Sequence, residues 1–333
     1  MADDRRAHRA LRRVAPTVAG VAAALWCMPA GAQDAAFPSR AVQIVVPFTP
    51  GTGADILSRT LGPRLAARWK VAVVTDNRPG ATGNIGAEFV SKAKADGHTI
   101  LFTATSFGMT PALYRNLSYD PVKSFSPVAQ IASSSLGLVV HPQLPVKTVR
   151  EFVQLAKRRP GDMLYSSPGN GGPQHLTMEL LKLETGINVV HVPYRGLAGA
   201  ITDVMAGHVQ AMVSALQTAF PYVTGGRLRM LGIMSAERSA AFPDVPTMKE
   251  QGLPNLEVYT WYGSFAPAAT PAAAVSKLNG DINAILKQPD VREVLEKQGM
   301  IASAGPPERL GELVKSELAR WDRVVKAANI KAD

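Results

Sequence analysis

The sequence predicts an α/β protein with two lobes and a ligand cleft between them. Strand patterns alternate with helix patterns along the whole chain, which is typical of repeated βαβ units and mostly parallel sheets flanked by helices. The length of 333 residues favours two globular units over one. No low-complexity linker divides the chain, so we expect the backbone to cross between the lobes more than once.

The first part of the chain alternates apolar, β-branched runs with helical patterns. The predicted strands are 41–48, 71–77 and 98–105, and the predicted helices are 54–69 and 83–95. The spacing is that of consecutive βαβ units.

The middle of the chain repeats this scheme and the last part is mainly helical. We expect strands at 136–142, 210–216, 228–235 and 256–267, strand–turn–helix units at 162–186 and 188–209, and helices at 149–161, 272–288, 289–299 and 309–330. These elements predict a first lobe made of 38–134 and 228–333 and a second lobe made of 135–227, with C-terminal helices that pack on either lobe.

Residues 1–32 are typical of a secretory signal peptide. Five arginines precede an apolar run over 14–28, which is shorter than the roughly 20 residues of a membrane span. Ala30, Gly31 and Ala32 are the small residues that a signal peptidase requires. We expect cleavage after Ala32 and a periplasmic mature protein. The Arg12-Arg13 pair leaves both general secretion and twin-arginine export open.

Composition excludes several classes of chemistry. The only cysteine, Cys27, lies in the predicted signal peptide, so the mature chain has no thiol for a disulfide, a nucleophile or a cysteine zinc site. Without residues 1–32, the net charge falls from +10 to +7, a field that attracts anionic solutes. No basic run with interleaved aromatic residues indicates a nucleic-acid partner.

Four loops resemble one another, each after an apolar strand and most of them rich in glycine, serine or threonine. They span 48–55, 103–106, 166–172 and 192–196. In open α/β sheets ligands bind at the carboxyl ends of strands, where backbone N–H groups and hydroxyls form a nest suited to a carboxylate. The glycines either permit this close approach or are ordinary turn residues; they are Gly51, Gly53, Gly169, Gly171 and Gly172.

Signatures of enzymes are incomplete. The Gly51-Thr52-Gly53 start of a dinucleotide fingerprint lacks its third glycine, because Ile56 stands there, and 80–86 lacks the Lys-Ser/Thr ending of a phosphate loop. Neither a zinc-protease helix motif nor a nucleophile elbow occurs, and the histidines lack metal-ligand spacing. We expect no catalytic residue, no metal and no cofactor. The pattern indicates a binding protein and not an enzyme.

Several polar and aromatic residues allow two interpretations. His175 either contacts a solute or caps and packs at its helix, and Asp55 and Asp203 either form a carboxylate pair or favour their helix dipoles. Arg195 either pairs with a carboxylate or lies on the surface. Trp261 and Tyr262 either wall a ligand or pack in the core, which is favoured.

Long collinear phrases resemble one protein family over essentially all of the mature sequence. They include "VPFTPGTGAD", "DNRPGATGNIGAEFVSKAKADGHTILF", "SSPGNGGPQHLTMEL", "HVPYRGLAGAITDVMAGHVQAM" and "WYGSFAPAATP". The chain resembles the extracytoplasmic solute receptors of tripartite tricarboxylate transporters, the Bug family. The resemblance implies a type II-like periplasmic binding fold, a monomer, that closes over one small organic carboxylate and delivers it to large and small membrane subunits.

The resemblance also implies the ligand-binding residues. The first lobe contributes Phe48, Thr49, Gly51, Thr52, Gly53 and Asp55, with Thr103, Thr105 and Ser106 on its next loop. The second lobe contributes Ser166, Ser167, Asn170, Gly171 and His175, with Tyr194, Arg195 and Gly196 nearby. Ser214 and Trp261 are expected at the far end of the solute.

One departure from the family pattern bears on the first loop. Thr52 stands where the family has glycine, so either its hydroxyl adds a donor or the carboxylate lies slightly further out. Solutes from dicarboxylates and tricarboxylates to acidic amino acids and aromatic acids stay open. Two other functions also stay open: a ligand-sensing subunit acting on a membrane kinase, and a periplasmic enzyme acting on organic acids.

Overall fold

The structure is a computed structural model that describes residues 37–114, 116–194 and 196–330; the predicted signal peptide and Arg195 lie outside them. The strands are β1 (Val42–Val46), β2 (Val73–Asn77), β3 (Thr99–Ala104), β4 (Phe125–Val140), β5 (Leu164–Ser167), β6 (Val190–Pro193), β7 (Ala211–Ala215), β8 (Arg229–Ile233), β9 (Tyr259–Pro267) and β10 (Ile301–Ala302). The helices are α1 (Gly53–Trp69), α2 (Asn84–Ser91), α3 (Ser106–Leu113), α4 (Val149–Arg158), α5 (Pro173–Thr185), α6 (Leu197–Ala206), α7 (Leu216–Thr224), α8 (Ala272–Leu286), α9 (Pro289–Lys297) and α10 (Pro307–Ala327).

The strands form one mixed sheet in the order β2-β1-β3-β9-β4-β7-β5-β6, with β8 and β10 also paired to β4. The pairs β1–β2, β1–β3, β5–β6 and β5–β7 are parallel, as the βαβ pattern predicts. The central pairs are antiparallel, because β4 and β9 run against their neighbours. Within the described ranges, no helix has the length and apolarity needed to cross a bilayer.

Strand β4 belongs to both halves of the sheet. Its first part, 125–135, pairs with β9, and its last part, 136–140, lies between β7 and β8. Strand β8 therefore pairs within the half that contains β5, β6 and β7, although the predicted boundary places residues 228–233 in the first lobe. The long strand makes one continuous sheet where two separate sheets were expected.

Helix α10 packs on both halves. Leu310 and Val314 belong to the same apolar cluster as Trp261 of β9, whereas Trp321 and Val324 belong to the cluster that contains the β5–α5 unit. The start of the helix therefore contacts one half and its end the other, because its 21 residues are long enough to reach both. One C-terminal helix thus contacts both halves of the sheet.

Three elements have no clear sequence signal. The first part of β4 contains Pro127 and the serine run 133–135, which favour turns. Helix α3 contains Gly108 and Pro111, and α7 contains Pro221. Close packing favours glycine at position 108, because a Cβ there would lie 3.1 Å from the Cβ of Glu317 on α10. Tertiary contacts override weak local propensity at these places.

We predict that Ser134→Ala lowers the free energy of unfolding. The Ser134 hydroxyl lies 2.7 Å from Gln217 Oε1 and 3.0 Å from the carbonyl oxygen of Gly299, at the point where the two halves meet. Removing the donor leaves part-buried acceptors without this partner, which costs about 1 kcal/mol. Urea unfolding measures the change. Ser133→Ala, on the opposite face of the same strand, is the control, and equal effects of both substitutions would contradict the prediction.

Candidate functional site

The predicted site loops follow strands whose carboxyl ends lie together. Strands β1 and β3 are parallel neighbours in the first half of the sheet, as are β5, β6 and β7 in the second. The loops β1–α1 and β3–α3 therefore emerge at one edge of their half, and β5–α5, β6–α6 and β7–α7 emerge at one edge of the other. This arrangement is the usual location of ligand sites in α/β sheets.

Asp55 stabilises the β1–α1 loop from within. Its carboxylate accepts hydrogen bonds from Gly51 N (2.9 Å), Asn77 Nδ2 (2.9 Å) and Arg59 Nε (3.0 Å). Asn77 Nδ2 also donates to the carbonyl of Phe48. Burial raises the pKa of Asp55, but the hydrogen bonds from Arg59, Gly51 and Asn77 outweigh it and hold the pKa below its ordinary value. The carboxylate therefore stays ionised and orders the loop.

The Thr52 hydroxyl is used inside the same loop. It donates to the carbonyl of Thr49 at 2.9 Å, so its proton does not point toward the loop opening. Thr52 is the N-cap residue of α1, with extended backbone and no side-chain capping bond, so its side chain satisfies none of the first-turn N–H groups. The Thr49 side chain is exposed. The first loop thus offers mainly backbone donors.

Gly53 is required by a neighbouring ring. A Cβ at this position would lie 2.4 Å from Tyr262 Oη and 2.6 Å from Tyr262 Cζ. The glycine that was expected to admit a ligand therefore admits the phenol of Tyr262 to the start of α1. Tyr262, for which a core role was favoured from sequence, lies at the site loop.

The β3–α3 loop is buried and tied to β9. The Thr105 hydroxyl accepts from Trp261 N at 2.7 Å and lies 3.3 Å from the Trp261 carbonyl. The Ser106 carbonyl accepts from the Thr110 hydroxyl at 2.6 Å, and Thr103 is buried. Of these predicted ligand-binding residues, Thr105 holds the loop in place through its side chain.

Trp261 is fully buried, and its indole ring packs against Phe265, with ring centroids 6.4 Å apart. Its Nε1 atom is buried and has no hydrogen-bond partner among the described residues. The side chain expected at the far end of the solute therefore has no surface open to solvent in this conformation.

In the β5–α5 loop, two serines bond within the protein. Ser166 Oγ donates to the Ala200 carbonyl at 3.0 Å. Ser167 Oγ donates to the Gly169 carbonyl at 2.8 Å, so its contact with His191 Nε2 at 2.7 Å assigns the proton to the imidazole. Both serines are fully buried.

His175 and His191 form a stacked pair beneath this loop, with ring centroids 3.8 Å apart and an interplanar angle of 12°. Gly171 N donates to His175 Nδ1 at 2.9 Å, so that nitrogen carries no proton in this geometry. His191 is missed by the sequence analysis, which considers it only for metal-ligand spacing. Its place in the apolar strand that precedes the 192–196 loop is the signal that could have found it.

Contacts connect the loops of the two halves. A Cβ on Gly171 would lie 2.5 Å from Leu113 Cδ1 at the end of α3, and the φ of +70° at Gly171 favours glycine as well. The next residue, Tyr114, lies with its hydroxyl 3.3 Å from Thr82 Oγ1. A Cβ on Gly83 would lie 3.3 Å from the Phe48 ring. These contacts run from the first loop to the β5–α5 loop.

The β6–α6 loop is also bonded within the protein. Tyr194 N donates to the Ser167 carbonyl and Gly196 N to the Pro168 carbonyl, which fixes the β6–α6 loop against the β5–α5 loop. The Tyr194 hydroxyl donates to Asp203, so these two residues pair with each other. Asn170 has an intermediate exposure at the turn.

Ser214 ends the fully buried part of β7, opposite Gly137 of β4. Its hydroxyl lies 3.3 Å from the Ala215 carbonyl.

A cavity of about 400 Å³ lies elsewhere, between α10 and residues 254–259. None of the predicted ligand-binding residues lines it. Over the described ranges, no group of three or more His, Cys, Asp or Glu side chains is arranged to hold a metal ion.

We predict that Asp55→Asn loosens the β1–α1 loop. The amide presents an NH₂ group where Gly51 N–H or the Asn77 amide needs an acceptor, which lowers the free energy of unfolding by about 1.5–3 kcal/mol at pH 7. Faster hydrogen exchange at Gly51 and a lower melting temperature are the measurements. Because the folded pKa of Asp55 is depressed, the stabilisation is complete above about pH 4 and disappears as the pH falls through the folded pKa.

Asp290→Asn is the matched control for this change, since Asp290 pairs with Arg64 on the exposed surface at α9. It should leave exchange at Gly51 unchanged. Equal exchange rates at Gly51 in wild type and Asp55→Asn would contradict the structural role of Asp55.

Comparison with known proteins identifies close relatives. BugT of Bordetella pertussis is 32% identical over 297 residues, which cover 89% of this chain and 91% of BugT. A solved R. palustris structure with adipate is 35% identical, with a TM-score of 0.76, and covers 89% of this chain and 99% of that one. MatC from Rhodopseudomonas palustris with bound malate is 32% identical, with a TM-score of 0.72, over 87% of this chain and 100% of MatC.

The family model described as tripartite tricarboxylate transporter family receptor, TctC, matches residues 57–330. This match spans most of the chain and agrees with the near full-length similarity to BugT. It confirms the family that the sequence motifs indicate. The chain belongs to the TctC family of tripartite tricarboxylate transporter receptors.

Proposed function

We propose that the protein is a periplasmic receptor that captures a small organic carboxylate between two lobes and delivers it, unaltered, to the membrane subunits of a tripartite tricarboxylate transporter. The observation that carries this proposal is membership of the TctC family together with relatives of 35% and 32% identity solved with adipate and malate. The solute class proposed is therefore a small dicarboxylate. The receptor acts as a monomer.

The chemistry of the loops supports a carboxylate. The N-cap residues of α1, α5 and α6 make no side-chain capping bond. Helix starts attract anions through first-turn N–H groups and the helix dipole. Hydrogen bonds to a charged group contribute about 1.5–3 kcal/mol each, so three or four support micromolar affinity after ordering costs.

Lobe closure supplies the means of capture and release. We propose that the lobes meet where the backbone crosses within β4, near Ser135 and Leu136, and again just before β9, near Val258. Under this division, β8 belongs with the second lobe, since it pairs with residues 137–140. A solute that contacts both lobes favours the closed state, because it binds that state more tightly.

The two rival functions differ in what they require. An enzyme needs a base or nucleophile within reach of the solute, whereas Asp55 and Ser167 are engaged by neighbouring groups of the protein. A sensing subunit needs the same cleft as a transport receptor. Capture of membrane partners separates the last two: we expect the large and small transporter subunits, and recovery of a membrane kinase instead would favour sensing.

We predict that adipate or malate raises the melting temperature of the purified protein. A ligand at 100 times its dissociation constant adds about 2.7 kcal/mol of stability, which shifts the melting temperature by about 5 °C or more. A thermal-shift panel of dicarboxylic, tricarboxylic and aromatic acids measures this, with adipamide as the uncharged control for adipate. No shift with any acid, or conversion of the bound acid to a product, would overturn the proposal.

We also predict that Thr49→Ala and Ser167→Ala, one on each lobe, both weaken solute binding. Thr49 is exposed, so its substitution should leave the ligand-free melting temperature unchanged. Ser167 is buried and bonded to His191, so its substitution should also lower that temperature. Calorimetric titration measures both affinities. Unchanged affinity in both variants would exclude these loops from the site.

A further inference from the structure

The position of Tyr262 joins three elements of the site. In β9 it pairs with Ala104, the last residue of β3, and with Ala132 of β4. It therefore lies where the β3–α3 loop begins and close to the point where β4 crosses between the halves of the sheet. Adjacent residues of a strand face opposite sides, so Tyr262 and Trp261 point to different faces. Tyr262 is the one that faces α1.

The phenol lies against the first residue of α1. Its Oη, Cζ and Cε1 atoms would all lie within 2.7 Å of a Cβ on Gly53. The first helical hydrogen bond runs from Ile56 N to the carbonyl of Thr52, so the N–H groups of Gly53 and Ala54 lie beyond the helical ladder. The side chain of its N-cap residue, Thr52, makes no capping bond. The tyrosine hydroxyl thus stands beside backbone donors that lie outside the helical ladder.

The hydroxyl of Tyr262 has no partner within the described part of the chain, although the residue is only 9% exposed. The ring packs in the same apolar cluster as Ala54 and Leu57. Among the described residues, four polar side-chain atoms are both inaccessible to solvent and without a hydrogen-bond partner. Tyr262 Oη is not one of these four atoms. The ring is therefore buried while its hydroxyl still reaches solvent. Buried tyrosine hydroxyls usually have a hydrogen-bond partner.

We propose that Tyr262 is a solute-binding residue: its hydroxyl and the first-turn N–H groups of α1 together form a subsite for one carboxylate group. This inference rests on the proposed receptor function and names a contact for it. The backbone N–H groups only donate and the phenol can donate as well, so the subsite favours a carboxylate, which only accepts hydrogen bonds, over a carboxamide, which also presents donors. Burial raises the pKa of Tyr262 to about 12, so the donor keeps its proton at physiological pH.

The substitution Tyr262→Phe tests the contact, because it retains the ring that packs on Gly53 and removes only the hydroxyl. We expect the affinity for adipate, or for malate if adipate does not bind, to fall about tenfold, which corresponds to about 1.4 kcal/mol. Because the hydroxyl has no partner in the ligand-free protein, the melting temperature without ligand should not fall. Calorimetric titration and thermal unfolding provide the two measurements.

Tyr259→Phe is the matched control, since Tyr259 lies on the same strand but lines the separate cavity beside α10. It should bind as tightly as wild type. If wild type binds the acid and Tyr262→Phe binds it equally well, the proposed contact is overturned and the receptor function stands. A fall in ligand-free stability with unchanged affinity would assign Tyr262 a packing role and overturn it as well. Wild type that binds no acid would overturn both proposals.

Discussion

The strand β4 is the constraint on which the arrangement of the site depends. Its backbone pairs with β9 over residues 125–135 and with β7 and β8 over 136–140, so the two halves of the sheet share one strand. The carboxyl ends of β3 and β7 are thereby brought to the middle of β4. Loops that follow those strands therefore begin near the same part of β4, without a separate linker.

The polar side chains of the loops mostly satisfy one another. The Asp55 carboxylate accepts hydrogen bonds from Gly51 N and Asn77 Nδ2, and the Ser167 hydroxyl accepts one from the His191 imidazole. What they leave available is backbone N–H groups at helix starts. Loops of this kind are ordered without a solute, so the proposed site would lose less conformational entropy on binding. This internal hydrogen bonding also explains why few loop hydroxyls lack a partner, although the loops are rich in serine and threonine.

The parts of the fold with strong apolar periodicity are predictable, and those held by long-range contacts are not. The strands of the βαβ units and helices such as α5 and α10 are found from sequence because burial and local pattern agree. The serine run 133–135 resembles a turn, yet pairs with β9 across more than a hundred residues of chain. Gly108 and Pro111 weaken the signal for α3, which depends on packing against α10.

The sequence by itself determined the α/β class, the family and the loops that carry the candidate site, because those properties reside in local pattern and in long collinear motifs. Only the tertiary structure decided what each side chain in those loops contacts. It turned Asp55 inward, stacked His175 on His191, and placed Tyr262 rather than Trp261 against the start of α1. The physical reason is that strand register selects which of two adjacent side chains faces a neighbour, and register is set by pairing between distant segments.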